Sequence, residues 1–506
     1  MAATLRIYNT LTRTVEDFVP REPGTARMYV CGMTVYDYCH IGHARAMLTF
    51  DVVYRWLVER GLDVTYVRNY TDVDDKIIAR AQESGEDALA LAARFIAALN
   101  EDLERFGLAL PQVQPKVSEH IPEILALTAQ LIERGHAYAV GGDVYFSVPS
   151  FPSYGKLSGK RVDDLRAGER VAVDERKRHP ADFALWKSAK PGEVAWDSPW
   201  GAGRPGWHIE CSAMSQRHLG TQFDIHGGGI DLVFPHHENE IAQSECGTGH
   251  APYARYWMHN GHVHLGEAKM SKSIGNVIRI RDLLDEAPAE ALRLLYLQTH
   301  YRSPLPFTSD RLAEALAGVD RVYTAREALE QMAAQEPTHT VDQLVRDFED
   351  PAANLRDAAR AFSTAFGDAM DDDFNTAEAA AVLFDLVRIA NRFANLTKAR
   401  PRAAALAREA LTCFDLAGRV LGIGGRSSAA WFAEVKQLRL RAQGLSEDSV
   451  QSMIDARLAA RRAKDWAEAD RLRDALAALH IVLMDGPTGT TWRMRIESPE
   501  GAAPAR

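Results

Sequence analysis

The sequence predicts an α/β protein: a Rossmann-like, doubly wound parallel sheet, interrupted by an inserted module and followed by α-helical domains. Three observations predict it. Arg27–Cys31 and Asp63–Arg68 are short runs of apolar and β-branched residues, and helical periodicity from about Ala44 to Glu59 separates them, closed by Gly61. Strand, helix, strand in this order is a βαβ unit, which places a ligand crevice at the carboxyl ends of parallel strands. From about Ser309 to Gly422, Ala and Leu recur at helical spacing almost without interruption.

The remaining elements follow in order. Ser84 to Gly107 reads as one Ala- and Leu-rich helix. Pro111 to Pro205 changes character, with a helix at Ile121–Arg134 and then Pro149, Pro152, Pro180, Pro191 and Pro199 among charged residues, which suits an inserted surface module. Strand-like chain resumes at Gln222–His226 and runs into Gly227-Gly228-Gly229. Gly422, Gly424 and Gly425 mark a linker before a small closing domain. The expected division is 1–110 and 206–265 for the two halves of the sheet domain, 111–205 for the module, 266–308 for a loop-bearing connection, 309–421 for a helical bundle and 422–506 for the terminal domain. A chain of 506 residues needs several such cores.

Composition excludes several classes. With 46% apolar and 25% charged residues the chain is neither disordered nor collagen-like. No apolar run approaches a membrane span, and Met1–Arg6 lacks the apolar run expected of a signal peptide. Five cysteines are too few for a disulfide framework and suggest a reducing compartment, the cytoplasm. Net charge is −10, yet residues 421–506 carry thirteen Lys/Arg against eleven Asp/Glu. Arg457, Arg461, Arg462, Lys464, Arg471 and Arg473 fall on one predicted helical segment, either a solvated face or a polyanion-binding patch.

Two motifs suit a nucleotide. His40-Ile41-Gly42-His43 opens the first helix, where the N-terminal dipole, free N–H groups and the small Gly42 favour phosphate. Lys269-Met270-Ser271-Lys272-Ser273 stands before Gly275-Asn276 as a clamp of point charges on polyphosphate. Thiolate, imidazole and carboxylate are zinc ligands, and Cys31, Cys211, His236 and Glu240 supply them, His236 and Glu240 on one helical face. By spacing alone His237, His226 and Cys246 compete with them. Asp72, Asp74 and Asp75 read as a capped helix start more readily than as metal ligands. His226 and Asp231 beside the triple glycine either line the adenosine end of the crevice or form a glycine turn.

The pair of motifs resembles the HIGH and KMSKS signatures of class I aminoacyl-tRNA synthetases. Cys31-Gly-Met-Thr-Val-Tyr-Asp, Asn69–Lys76, Gly206–Cys211, Asp224–Asp231 and Phe234–Glu240 resemble the cysteinyl-tRNA synthetase family over essentially the whole chain. The resemblance implies an ATP-dependent activation of L-cysteine to cysteinyl-adenylate and its transfer to tRNA(Cys). It implies zinc at the pocket floor on Cys31, Cys211, His236 and Glu240, and Mg2+ accompanying ATP. Expected catalytic residues are His40, His43, Lys269 and Lys272. Expected ATP contacts are His40, Gly42, His43, Gly228, Asp231 and Lys272, and expected substrate contacts are Gly32, Thr71, Trp207 and His226. Residues 266–308 become the KMSKS loop and stem-contact region, and 422–506 the anticodon-binding domain. Two rivals remain at this point: a cysteine ligase of the mycothiol type, which would lack the terminal domain, and a non-catalytic tRNA-binding relative.

Overall fold

The computed structural model describes residues 4–161, 175–265, 268–269, 277–486 and 489–496. Lys272 and the rest of its motif beyond Lys269 lie outside the described residues, as do Gly275 and Asn276.

The central sheet has four parallel strands in the order Ala254–Asn260, Phe223–Gly229, Thr25–Val30, Asp63–Arg68. Its strands are apolar on both faces, as a covered parallel sheet requires; Met28, Tyr29 and Val30 are all buried. The helix Ile41–Glu59 connects Thr25–Val30 to Asp63–Arg68, and Gly61 beyond its end adopts φ +81°. All four carboxyl ends therefore open on one edge. Residues 31–34, 69–71, 230–232 and 261–263 follow those ends.

Several expected boundaries shift. Ser84–Gly107 is not one helix: Asp75–Ser84 stops at Gly85 in the left-handed region, and Asp87 caps a new helix, Ala88–Arg105. The triple glycine is not a turn; Gly227, Gly228 and Gly229 complete the strand Phe223–Gly229. In the bundle, the helices Ser309–Ala333, Val341–Asp371, Thr376–Ala394 and Ala404–Leu421 are separated at caps such as Thr308, Thr340 and Asn375. Val341–Asp371 breaks direction at Glu349 (φ +46°), just before Pro351, which cannot continue the ladder.

The segment 111–205 carries its own antiparallel sheet, Ala137–Val140, Asp143–Phe146, Phe183–Ser188 and Gly203–Pro205. It is less separate than its proline-rich composition suggested. Ile124, Leu127 and Leu131 of the helix Ile121–Glu133 share one apolar core with Tyr29, Val67, Ile209 and Ile241 of the sheet domain. The terminal domain likewise begins later than Gly422. Trp431 and Val435 of the helix Ser428–Ala442 are buried in the main core, Trp431 stacked on Tyr323 at 4.9 Å. A separate small core starts at Leu440 and gathers Val450, Ile454, Leu476, Ile481 and Met494.

The basic run is two helices, Glu447–Arg462 and Trp466–Ala478, broken where Lys464 turns to φ +62° and Asp465 caps the second. Arg457 and Arg461 pair with Asp485, Arg471 with Glu468, and Arg473 with Asp470. Much of that charge is thus neutralised within the domain. Trp466 is left 61% exposed at the helix start, an unusual position for a large aromatic ring.

Candidate active site

A cleft of about 350 Å³ occupies the carboxyl edge of the sheet. Its lining includes Cys31, Gly32, His40, Gly42, His43, Thr71, Trp207, Cys211, Asp231 and His236, so ten expected site residues converge from five places in the chain.

At the floor, the ligand atoms of Cys31, Cys211, His236 and Glu240 all lie within 4.8 Å of one another. Cys31 Sγ is 3.6 Å from Cys211 Sγ and 3.3 Å from Glu240 Oε1, and His236 Nε2 is 3.0 Å from Glu240 Oε1. Cys31 follows the first sheet strand, Cys211 sits in the helix Trp207–Leu219, and Glu240 in Glu238–Thr248. The other ring nitrogen of His236, Nδ1, lies 3.0 Å from His208 Nδ1, which fixes the ring and leaves Nε2 toward the cluster. His208 stands beside Trp207 in the Gly206–Cys211 motif, but residue spacing alone does not mark it as a partner of His236. Trp207 stacks on His236 at 4.4 Å and forms a half-exposed wall.

The electrostatics of this floor are unusual. Burial raises the Cys211 thiol, but the Cys31 S–H donated to it and the nearby His236 outweigh that and bring it down to about 6. Cys31 itself is pushed well up by burial and by Cys211. Burial opposes the charge on His236, yet Glu240 and Cys211 raise it to about 10. Glu240 stays far below the usual carboxylate range: burial works against its charge, and His226 and His236 more than offset that. A thiolate and a carboxylate thus enclose one protonated imidazole, an arrangement that a cation can replace with release of protons.

A second grouping, Cys31, His226, His237 and Glu240, shares two of these residues. His226 is fully buried, its Nε2 2.8 Å from Glu240 Oε2 and its ring stacked on Trp257 at 4.4 Å. That position corrects the expectation that His226 touches substrate. It holds Glu240 from behind and does not line the cleft. Cys246, the remaining competitor by spacing, belongs to neither grouping.

Gly32 allows the close packing that shapes the pocket. A Cβ there would fall 1.7 Å from the Asn69 carbonyl oxygen, and the Gly32 N–H donates to Asn69 Oδ1 at 2.9 Å. Thr71 is buried beside it and accepts from Asn69 Nδ2 at 3.2 Å.

At the nucleotide end, His40 caps the helix Ile41–Glu59. Its Nδ1 accepts from the Gly42 and His43 N–H groups at 3.1 and 3.3 Å, and the two imidazoles stack at 3.5 Å. Two N–H groups expected to be free for phosphate are therefore satisfied by His40. Gly228 does not line the cleft, and a Cβ there would meet Leu232 and His237. Its neighbour Gly229 lines the cleft instead, with Asp231. Lys76, Asn260, Gly261 and His262 also line it. Lys76 ends the Asn69–Lys76 motif and is legible there; Asn260 closes the strand Ala254–Asn260 and Gly261 and His262 follow it, with no motif to mark them. Asp74 caps the helix Asp75–Ser84 through the Lys76 N–H, Asp72 accepts from Ser118, and Asp75 pairs with Lys187 and Arg204, so these carboxylates have structural partners.

Comparison with known proteins extends this geometry. The family profile of the tRNA synthetases class I (C) catalytic domain matches residues 17–317, the DALR domain 365–424, and the cysteinyl-tRNA ligase anticodon binding domain 443–493. A cysteine–tRNA ligase of Pelobacter propionicus is 51% identical over 494 residues, covering 97% of this chain and all of the relative. One of Thioalkalivibrio sulfidiphilus is 54% identical over 491 residues, covering 97% of this chain and 99% of the relative. Among solved structures, methionyl-tRNA synthetase of Mycobacterium tuberculosis in complex with methionyl-adenylate has a TM-score of 0.59 at 15% identity, over 79% of this chain and 92% of that one. A leucyl enzyme of Agrobacterium radiobacter in a ternary complex with tRNA has a TM-score of 0.57 at 12% identity, over 82% and 86% of the two chains. These distant likenesses establish the class I synthetase fold with its Rossmann-like sheet. The identity to the relatives, sustained over their full length, establishes more: the chain belongs to the cysteine–tRNA ligase family.

Proposed function

We propose that the chain activates L-cysteine with ATP, forming cysteinyl-adenylate and pyrophosphate, and then transfers the cysteinyl group to the 3′ end of tRNA(Cys). The observation that carries this reading is the four-donor cluster at the floor of a cleft whose other end holds His40 and His43. Full-length similarity to cysteine–tRNA ligases favours it over a ligase that lacks the terminal domain. The cytoplasm is the compartment this activity calls for, and no helix among the described residues is long and apolar enough to cross a membrane.

The donor set fits zinc. Bond lengths of ~2.3 Å to sulfur and ~2.0–2.1 Å to nitrogen or oxygen imply tetrahedral edges of roughly 3.3–3.8 Å. Three of the six edges are 3.6, 3.3 and 3.0 Å here, held by hydrogen bonds that an ion would replace, so the two shorter ones need to open only slightly to receive it. Zinc bound there supplies a Lewis acid that prefers a thiolate to a neutral hydroxyl and lowers the thiol pKa. Trp207 and His236 wall the side-chain pocket, and Gly32 and Thr71 give it a rigid polar rim beside the reacting carboxylate. His40 and His43 orient the phosphates, and Lys269 and Lys272 contribute positive charge as the α-phosphate is attacked. Asp231 and Gly229 stand at the nucleoside end. Mg2+ accompanies ATP as the usual partner of its phosphates.

The terminal domain reads the anticodon in this proposal, with the exposed Trp466 as a stacking platform. Ending the chain after Gln443 removes every residue of the small core except Leu440 and leaves Trp431 in its socket. Cysteine-dependent ATP–pyrophosphate exchange is expected to stay within about twofold of the full chain, while charging of tRNA at limiting concentration falls by roughly tenfold or more. Normal charging by the truncated chain would remove the terminal domain from tRNA recognition. Loss of exchange as well would mean that the two cores are not independent.

A further inference from the structure

One buried cation takes no part in the reading above. Arg45 lies two residues past His43 on the helix Ile41–Glu59 and is 2% exposed. Among the described residues its hydrogen-bond partners are all main-chain carbonyls. Nη1 donates to Gly261 at 3.0 Å and His262 at 2.7 Å, and Nη2 to Ser303 at 2.5 Å, Tyr301 at 3.3 Å and His300 at 3.4 Å. Burial with no carboxylate beside it lowers its pKa to about 10. Burying a charge in this way is costly, and the helix face around it is apolar, with Ala44 and Leu48 buried on either side.

The five carbonyls belong to two chain segments that the guanidinium joins. Gly261 N donates to the Tyr301 carbonyl at 2.8 Å, Leu305 N donates to the His262 carbonyl at 2.9 Å, and Val263 pairs with Leu305 in a parallel ladder. The approach is so close that a Cβ on Gly261 would fall 2.6 Å from the Ser303 oxygen. Carbonyl dipoles crowd this junction, and a planar cationic fork satisfies several of them at once, which an ammonium cannot do. On their other side, Asn260, Gly261, His262 and Val263 line the cleft, as do Gly42, His43, Ala46 and Met47 of the arginine's own helix. The cysteine end is built separately: Cys31, Cys211, His236 and Glu240 find polar partners in one another, in His208 and in His226, not in the carbonyls of this junction.

We propose that Arg45 is a positioning residue for ATP, fixing the main-chain wall Asn260–Val263 against the helix that carries His40 and His43, so that the nucleoside and phosphate ends of the cleft keep one spacing. The proposal rests on reading this cleft as the ATP site.

The test compares the full-length, zinc-loaded parent with Arg45→Lys, which keeps the charge but not the fork, and with Arg45→Ala. Calorimetry measures binding of a non-hydrolysable ATP analogue and, separately, of cysteine, and zinc content is measured on the same samples. For Arg45→Lys the analogue is expected to bind about tenfold more weakly, with cysteine affinity within about twofold and zinc unchanged. In Arg45→Ala, added guanidinium ion should recover part of the analogue affinity while leaving the parent unaffected. Analogue affinity of Arg45→Lys within about twofold of the parent would overturn the proposal. So would a parallel loss of analogue, cysteine and zinc, which would make Arg45 a general fold element. Cysteine-dependent exchange by the parent is scored independently: its absence would defeat the proposed function, whereas the analogue comparison still decides the role of Arg45.

Discussion

Cys211→Ser is expected to lose bound zinc and nearly all cysteine-dependent pyrophosphate exchange while the protein remains folded. Replacing the sulfur removes the thiolate that the cluster already stabilises, at about 6, through the hydrogen bond from Cys31 and the charge of His236. Serine offers a neutral hydroxyl there, a poor ligand for a borderline-soft ion. The loss should exceed the roughly 10–100-fold that follows removal of an outer partner of a metal ligand. The sheet does not depend on the ion, because Met28, Tyr29, Ile225 and Tyr256 pack it from both sides. Zinc content by emission spectroscopy, far-ultraviolet circular dichroism and exchange on one preparation make the check. A Cys211→Ser protein with full zinc and parental exchange would remove Cys211 from the site. In the parent, cysteine binding as a thiolate releases a proton, so apparent affinity should rise with pH up to the thiol's own range near ~8.5.

Lys272→Ala is expected to lower the adenylation rate by roughly 10²-fold or more, with cysteine affinity nearly unchanged. The reasoning is chemical: negative charge shifts onto the departing pyrophosphate as the cysteine carboxylate attacks. A cation that meets this charge only in the transition state affects kcat and leaves ground-state binding alone. Equilibrium binding of cysteine and single-turnover formation of adenylate separate the two effects. A rate within about threefold of the parent would exclude the role.

The sequence motifs and the structure agree most closely where local chemistry decides position. The strand Asp63–Arg68 appears with the expected limits, and Cys31 falls at a strand end where a parallel sheet opens its crevice. His236 and Glu240 meet because four residues complete a helical turn. What was not legible depends on distant partners. Nothing local in Asp224–Asp231 says that His226 is sealed between Trp257 and Glu240, or that Gly229 reaches the cleft where Gly228 does not. The capping of the Gly42 and His43 N–H groups by His40 turns on one imidazole orientation, which residue spacing leaves open. The proline-rich composition of 111–205 suggested a detached module, yet Ile124, Leu127 and Leu131 close the sheet domain's own core. In the same way Gly422 marked a linker, although the burial of Trp431 carries the main core past it. Glycine reports backbone freedom; it does not report where packing ends.

In the proposed function the metal, and not the shape of the pocket, separates cysteine from serine. The two substrates differ by one atom, and a pocket that sorts by shape separates such near-isosteres by only ~10- to 200-fold. The most direct measurement is exchange driven by cysteine against exchange driven by serine, on the zinc-loaded protein and on the same protein after chelation. A large preference for cysteine is expected with zinc, and that preference should collapse, with most of the cysteine activity, once zinc is removed. A zinc-free protein that still prefers cysteine by more than about a thousandfold would contradict it, because the specificity would then reside in the protein walls.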